Sequence, residues 1–195
     1  MNAIIRVMTL EDKETVIEMM RAFYTSSAVL SNGSEEIYAR DVDNCVGDCP
    51  FLEGYVFEED SEIVGYAMLA KSFSTEFGKP CIWIEDLYIK EAYRNQGIGS
   101  SFFAFAEEKY PGVLFMLEVE AENRQAIHAY EKNGYEVFPY MEMKKSEKAR
   151  LENKKLLFLE IGLIVSLLIV YIALEWTSKE TNTAVLEDNT EVLIE

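Results

Sequence analysis

A chain of 195 residues with 35 Asp and Glu against 18 Lys and Arg carries a formal charge of −17, a balance that repels nucleic acid and favours cationic small molecules or basic peptides. With 49% hydrophobic residues it can bury the core of one compact domain plus an appendage, which excludes global disorder. Met1 to Leu10 lacks a secretory leader, and Cys45, Cys49 and Cys81 are too few, with a single His128, to complete a zinc site, so unpaired thiols in a reducing setting and no metal centre are expected.

The elements read in order as follows. Ile4 to Met8 is a short β-branched strand, and Thr9 caps a helix with Asp12 three places on, in a near capping box. Val16, Ile17, Met20 and Phe23 recur at helical spacing and form its buried stripe. Tyr24 to Gly33 is a loop, and Ser34 opens a second helix that runs to about Val46. Two strands, Gly54 to Glu58 and Ile63 to Ser72, are joined by a tight turn at Glu59-Asp60-Ser61. A turn at Gly78-Lys79-Pro80 leads to the strand Ile82 to Ile89, and a helix is expected from Phe102 to Tyr110. A strand at Val113 to Val119, a helix capped by Asn123 and ended by Asn133-Gly134, and a last strand from Tyr135 to Met143 complete the order β-α-α-β-β-β-α-β-α-β. This is a mixed α/β sheet flanked by helices.

After Met143 the pattern changes. Lys144, Lys145, Lys148, Arg150, Lys154 and Lys155 cluster ahead of an apolar run from Leu156 to Leu174 whose single charge is Glu160. As a helix this run spans roughly 28 Å against a hydrocarbon thickness of about 30 Å. Its Leu, Ile, Val and Phe residues are worth roughly −4 to −8 kcal/mol on an insertion scale, and Trp176 stands where an interfacial anchor belongs. The reading is a domain over 1–145, a basic linker over 146–155, a transmembrane helix over 156–176 and an acidic tail over 177–195. The basic flank expects the first domain in the cytoplasm and the tail outside. A buried or oligomerising helix is the other reading of the same run.

The chemistry concentrates around one corner. Ile84 to Ile89 is a strand, and Arg94, Asn95, Gln96, Gly97, Ile98, Gly99 and Ser100 follow as a glycine-containing, amide-rich turn into a helix. Such a corner gathers free backbone N–H groups and the positive end of a helix around one point, which suits a pyrophosphate. Arg94 to Gly99 resembles the Q/R-x-x-G-x-G/A acetyl-CoA loop of the GNAT superfamily of N-acetyltransferases. Asn123 to Tyr135 resembles that family's second signature, N-x-x-A-x-x-x-Y-x-x-x-G-F/Y. The resemblance covers about Ile4 to Lys144 and implies a GNAT-like, mostly antiparallel twisted sheet, to which the C-terminal hydrophobic helix is an addition.

The resemblance implies acetyl-CoA as cosubstrate, with the N–H groups of Gln96 to Ser100 on the pyrophosphate, Arg94 beside it, and the backbone of Leu87, Tyr88 and Ile89 along the pantetheine arm. It gives Asn123 a hydrogen bond to that arm, beside its local role as helix cap. Tyr130 becomes the general acid for the leaving thiolate, with packing on the inner helix face as its other use. Glu85 and Asp86 alternate on a strand, so one of them is expected on the substrate side. The pattern Glu-Asp-Leu-Tyr-Ile looks like that of spermidine/spermine-type acetyltransferases, which makes Glu85 a candidate base; a solvated strand residue or an anchor is the alternative. Tyr24, Phe73 and Phe77 offer an aromatic wall for an aliphatic amine.

The activity expected is acetyl transfer from acetyl-CoA to a primary amine, by direct attack in a ternary complex. A membrane-tethered acyl-CoA-binding module without turnover, and a protein that recruits partners through its C-terminal helix, are the rivals. A homodimer is left open.

Overall fold

The computed structural model describes residues 3–26, 28–29, 33–140 and 159–176. The chain divides into two units, Met1–Val137 and Phe138–Glu195. In the first, β1 (Ile4–Val7) is followed by a 3₁₀ turn (Leu10–Asp12), α1 (Lys13–Tyr24) and α2 (Glu35–Val46). Then come β2 (Leu52–Glu59), β3 (Glu62–Ser74), β4 (Lys79–Ile89), a second 3₁₀ turn (Glu91–Tyr93), α3 (Ile98–Lys109), β5 (Leu114–Leu117) and α4 (Arg124–Lys132). The strands form one sheet in the order β1-β2-β3-β4-β5, antiparallel except for the parallel pair β4–β5.

Period-two alternation on the strands divides the core between the two faces of the sheet. Val56, Tyr66 and Met68 point to α1 and α2, where they meet Val16, Ile17, Met20, Tyr38 and Val42. Tyr55, Phe57, Ala67, Leu69, Ile82 and Ile84 point the other way, onto Ile98, Phe102 and Phe103 of α3. Each fully buried Val, Leu, Ile, Phe or Met side chain among them contributes roughly 2 kcal/mol.

The local signals act where the residues put them, with some shifts of boundary. Asp12 closes the chain before α1: its carboxylate accepts the Thr9 backbone N–H at 2.7 Å and the Thr9 hydroxyl at 2.9 Å, and the first turn is 3₁₀. The β2–β3 hairpin turns on two residues, Asp60 and Ser61, both with positive φ (48° and 66°), while Glu59 and Glu62 already pair. That is the turn geometry that matches strand twist. Helix α3 starts at Ile98, four residues before the expected Phe102, because Gly97 takes a left-handed N-cap and Ile98 is buried. Strand β5 is shorter than Val113 to Val119.

The expected last strand, Tyr135 to Met143, is not formed by residues 135–140; residues 141–143 lie outside those described. Tyr135 is taken up by the end of α4 instead. Its N–H donates to Tyr130 O at 3.1 Å and the N–H of Gly134, at φ 87°, donates to Glu131 O at 3.0 Å, the two bonds of a Schellman cap.

In the second unit, Leu159–Trp176 is a helix of 18 residues with mean hydropathy 2.0 and side chains exposed throughout. By length and composition it is able to cross a membrane, and it falls within the expected 156–176 span. The basic linker and the acidic tail lie outside the described residues.

Asp12 also holds Arg6, whose two terminal nitrogens donate at 2.8 and 2.9 Å while its Nε donates to Glu58 at 2.8 Å. The Arg6 hydrogen bonds hold the Asp12 carboxyl down at about 2, below the usual carboxylate range. A folded-state pKa below the unfolded one stabilises above pH ~4 and is lost as pH falls towards 2. Asp12→Asn is therefore expected to cost about 2 kcal/mol at pH 7 in urea unfolding, and the gap from wild type is expected to close between pH 4 and 2.

Candidate active site

Strand β4 changes partners along its length. From Cys81 to Ile84 it runs between β3 and β5, in register with Leu114 to Leu117. The β5 ladder ends at Ile84↔Leu117, whereas β3 continues to pair as far as Gly65↔Ile89. Residues 85–89 thus keep one edge without a strand among the described residues. Their side chains are engaged: Leu87 and Ile89 pack with the α3 core, and Tyr88 lies 6.1 Å from the ring of Phe23 and 6.0 Å from that of Tyr66. What the open edge offers is backbone.

Beyond that edge the chain makes its corner. Asn95 (φ 62°) and Gly97 (φ 87°) are both left-handed, and Gly97 caps α3. The first helical bond runs from Ser101 N to Gly97 O at 2.9 Å, so the N–H groups of Ile98, Gly99 and Ser100 precede the ladder and have no intrahelical acceptor. A Cβ on Gly99 meets only Ile89 Cδ1, at 3.8 Å, so the space over this first turn is open. Gln96 braces the corner by donating to Ala92 O at 3.1 Å. Arg94 donates from Nε to Ile89 O at 2.9 Å, with its guanidinium 5.8 Å from the centre of the Tyr88 ring, which fixes a positive charge beside the corner. An anion cradle is thus assembled from backbone, with one cation held to it.

Tyr130 sits on α4 at the position three residues before the cap, and its ring packs against Tyr135 at 6.1 Å and edge-on to Phe103 at 6.0 Å. The Schellman cap therefore orients it, since the two residues that close the motif also touch. Its hydroxyl makes no hydrogen bond among the described residues, and burial pushes its pKa up, so it stays protonated at neutral pH. Asn123 caps α4, its side-chain oxygen accepting the Ala126 N–H at 3.2 Å. His128 is exposed. Leu87, Ile89, Leu117 and Tyr130 all pack against the same core on the α3 face.

The other face of β4 carries a cavity of about 180 Å³ lined by Tyr24, Asp41, Leu52, Met68, Ala70, Glu85 and Asp86. Sequence alternation would put Glu85 and Asp86 on opposite faces, and the structure overturns this. Register shifts between Met68↔Asp86 and Leu69↔Ile84, which makes Glu85 the extra residue of a β-bulge. Ile84 then faces α3 and Asp86 faces α1, with Glu85 beside Asp86 on the cavity. Glu85 is exposed and Asp86 is 4% exposed. The Tyr24 and Tyr66 hydroxyls donate to the two Asp86 oxygens at 3.0 and 2.9 Å. Burial pushes Asp86 up to about 6 in spite of these bonds, and pushes Asp41 up as well.

Two expectations about side chains change. Tyr24 lines the cavity, but Phe73 pairs opposite Pro80 and Phe77 lies in the turn after β3, both exposed. Pro80 is five residues from Glu85, roughly 17 Å along a strand, so the three do not form one wall. The sequence names Asp86 only as the alternate of Glu85 and does not point to Asp41, because the bulge that puts both strand carboxylates on the cavity leaves no signal in a single sequence. The thiols stay outside the site: burial pushes Cys45 up to about 12 and raises Cys81.

Residues 14–135 match the acetyltransferase (GNAT) family. A Bacillus subtilis (strain 168) protein named uncharacterized N-acetyltransferase YhfO is 32% identical over 85 residues, 42% of this chain and 56% of that protein, so the match spans about half the relative's length. Among solved structures, a possible acetyltransferase from Clostridium difficile 630 superposes with a TM-score of 0.63 at 21% identity, over 75% of this chain and 99% of its own. The aminoglycoside N-acetyltransferase AAC(6')-Iy in complex with CoA superposes with a TM-score of 0.61 at 12% identity, over 74% and 95%. At these identities the likeness establishes the fold.

The glycines of the site separate by conformation. Gly97→Ala and Gly134→Ala, both at φ 87°, are expected to lose about 1 kcal/mol each in thermal unfolding. Gly99→Ala is expected to be neutral or to gain up to about 1 kcal/mol, since it lies inside a helix with room for the methyl group.

Proposed function

We propose, from the premise that this chain belongs to the acetyltransferase (GNAT) family, that it is an N-acetyltransferase that moves the acetyl group of acetyl-CoA to a primary amine by direct attack in a ternary complex. The family's general reaction is acetyl-CoA-dependent acetyl transfer. The observation that carries the reading for this chain is the coincidence at Ile84: there the β4–β5 ladder ends and the bulge begins. The open edge lies between the glycine cradle, on the α3 side, and the acidic cavity, on the α1 side.

In this reading the N–H groups of Gln96 to Ser100 hold the pyrophosphate, and Arg94 supplies charge beside it. The free edge of Leu87 to Ile89 takes the pantetheine arm as an added strand would, and an N–H there stabilises the oxyanion that develops at the thioester carbonyl. The spare amide of Asn123 reaches the same arm while its oxygen caps α4. On the cavity side, Glu85 meets an incoming ammonium and, as a carboxylate, can draw its proton directly or through water. Nitrogen attacks the carbonyl carbon, the C–S bond breaks, and Tyr130 gives its proton to the departing sulfur and regains one from the acylated nitrogen.

The helix Leu159–Trp176 extends the proposal to a membrane anchor. With Lys144 to Lys155 ahead of it, the catalytic unit stays on the cytoplasmic side. Full-length protein in isolated membranes is expected to remain in the pellet after alkaline extraction and to move to the supernatant only with detergent. Appearance in the alkaline supernatant removes the anchor.

The activity is tested by thiol release from acetyl-CoA against a panel of primary amines. Gly99→Val is expected to weaken CoA binding at least tenfold in calorimetry. Tyr130→Phe should bind CoA normally and lose about 10²-fold in kcat. Binding of CoA by wild type with no thiol release over the panel would favour a tethered binding module instead.

A further inference from the structure

We propose that Asp86 is the proton acceptor of this site and that Tyr24 and Tyr66 set its readiness, with Glu85 receiving the acceptor's charge at the mouth of the cavity. This rests on the acyl-transfer reading and goes further by moving the proton from the exposed carboxylate of the bulge to the buried one.

The argument starts from what surrounds Asp86. It is 4% exposed, and among the described residues no Lys or Arg pairs with it. A carboxylate taken out of water without a cation is costly to fold. The titratable groups that act on it electrostatically are Tyr24 from α1, Asp41 and Cys45 from α2, Tyr66 from β3 and Glu85 from its own strand. None is a cation. Two are carboxylates and resist its ionisation, and only the two phenols favour it, each by donating to one oxygen. Each carboxylate oxygen keeps a second lone pair, so a third donor can be accepted from the cavity that Asp86 lines.

Such a group is ionised at neutral pH yet takes a proton readily, as burial against the phenols holds it at about 6. Glu85 lacks this setting, being exposed at the bulge. The step balances as follows. The ammonium gives one proton to Asp86 and becomes an amine, and its lone pair forms the C–N bond as the C–S bond breaks. Tyr130 protonates the sulfur and is refilled by the second nitrogen proton, and Asp86 releases its proton to water.

The test uses the full-length chain and whichever panel amine is turned over, with kcat/KM followed from pH 5 to 9. Carboxyl-¹³C aspartate labelling reads Asp86 directly, its resonance assigned by its loss in Asp86→Asn. Asp86→Asn is expected to fold and to lose at least 100-fold in kcat/KM together with the acid limb. Glu85→Gln is expected to keep the limb and raise KM. Removing a donor from the charged form raises proton affinity, so Tyr24→Phe and Tyr66→Phe are each expected to move both the ¹³C titration and the acid limb up by about one pH unit. A limb that stays in place while the ¹³C titration moves, or activity within threefold in Asp86→Asn, overturns the assignment. Should Asp86→Asn fail to fold, the two Tyr→Phe variants decide by the same comparison. Wild-type protein that acetylates no amine removes the acyl-transfer reading and this assignment with it; turnover with an unshifted limb removes the assignment alone.

Discussion

Strand β4 cannot satisfy two neighbours along its whole length, and the site is built on that conflict. Its pairing with β5 ends at Ile84↔Leu117, and the very next residue, Glu85, is the extra residue of the bulge against β3. A bulge bends and twists the strand that carries it. Here the twist coincides with the end of the parallel ladder, so one edge of the sheet opens where the side-chain phase also changes. The first effect exposes backbone donors and acceptors to a ligand. The second puts Glu85 and Asp86 together on the α1 face while Ile84 and Leu87 remain in the α3 core.

The two faces of the sheet divide the chemistry accordingly. The α3 side presents backbone N–H groups, a helix start and a phenol, and the packing behind them is aromatic: Phe103, Tyr130 and Tyr135 hold one another. A neutral phenol in an apolar setting is a proton donor that stays loaded. On the α1 side the cavity gathers three carboxylates, and among the described residues the hydrogen bonds to the buried one come from tyrosines. Burial raises the proton affinity of both kinds of group, and in the proposed reaction the consequence differs: the phenol serves as the acid, and the carboxylate is brought within reach of acting as a base.

The chain's negative charge has a local counterpart in that cavity, but most of it is spread over exposed surface. In the proposed reaction the acidic surface and the acidic cavity act together on a cationic amine, the first over distance and the second at contact. The helix Leu159–Trp176 adds a different constraint. Its apolar side chains are exposed all round, which is what the proposed membrane anchor requires.

By itself the sequence determined most of the elements and the glycine corner before α3, because both are encoded locally. A capping Thr9 with Asp12, a capping Asn123, a Gly134 past the end of α4 and a Gly97 before α3 need only their near neighbours to act, and all four do so in the fold. The 3.6-residue stripe of α1 and the apolar run over 156–174 are legible for the same reason. Tertiary structure decided what depends on pairing across distance. It placed the end of the β5 ladder, inserted the bulge at Glu85, withheld a strand from residues 135–140 and drew Tyr24 and Tyr66, from two different elements, onto Asp86. A one-residue shift of register is set by partners far along the chain, and it turns every side chain beyond it to the other face. That is why the glycine corner could be read from the sequence, whereas the cavity that Asp86 and Asp41 share emerged only once the strands were paired.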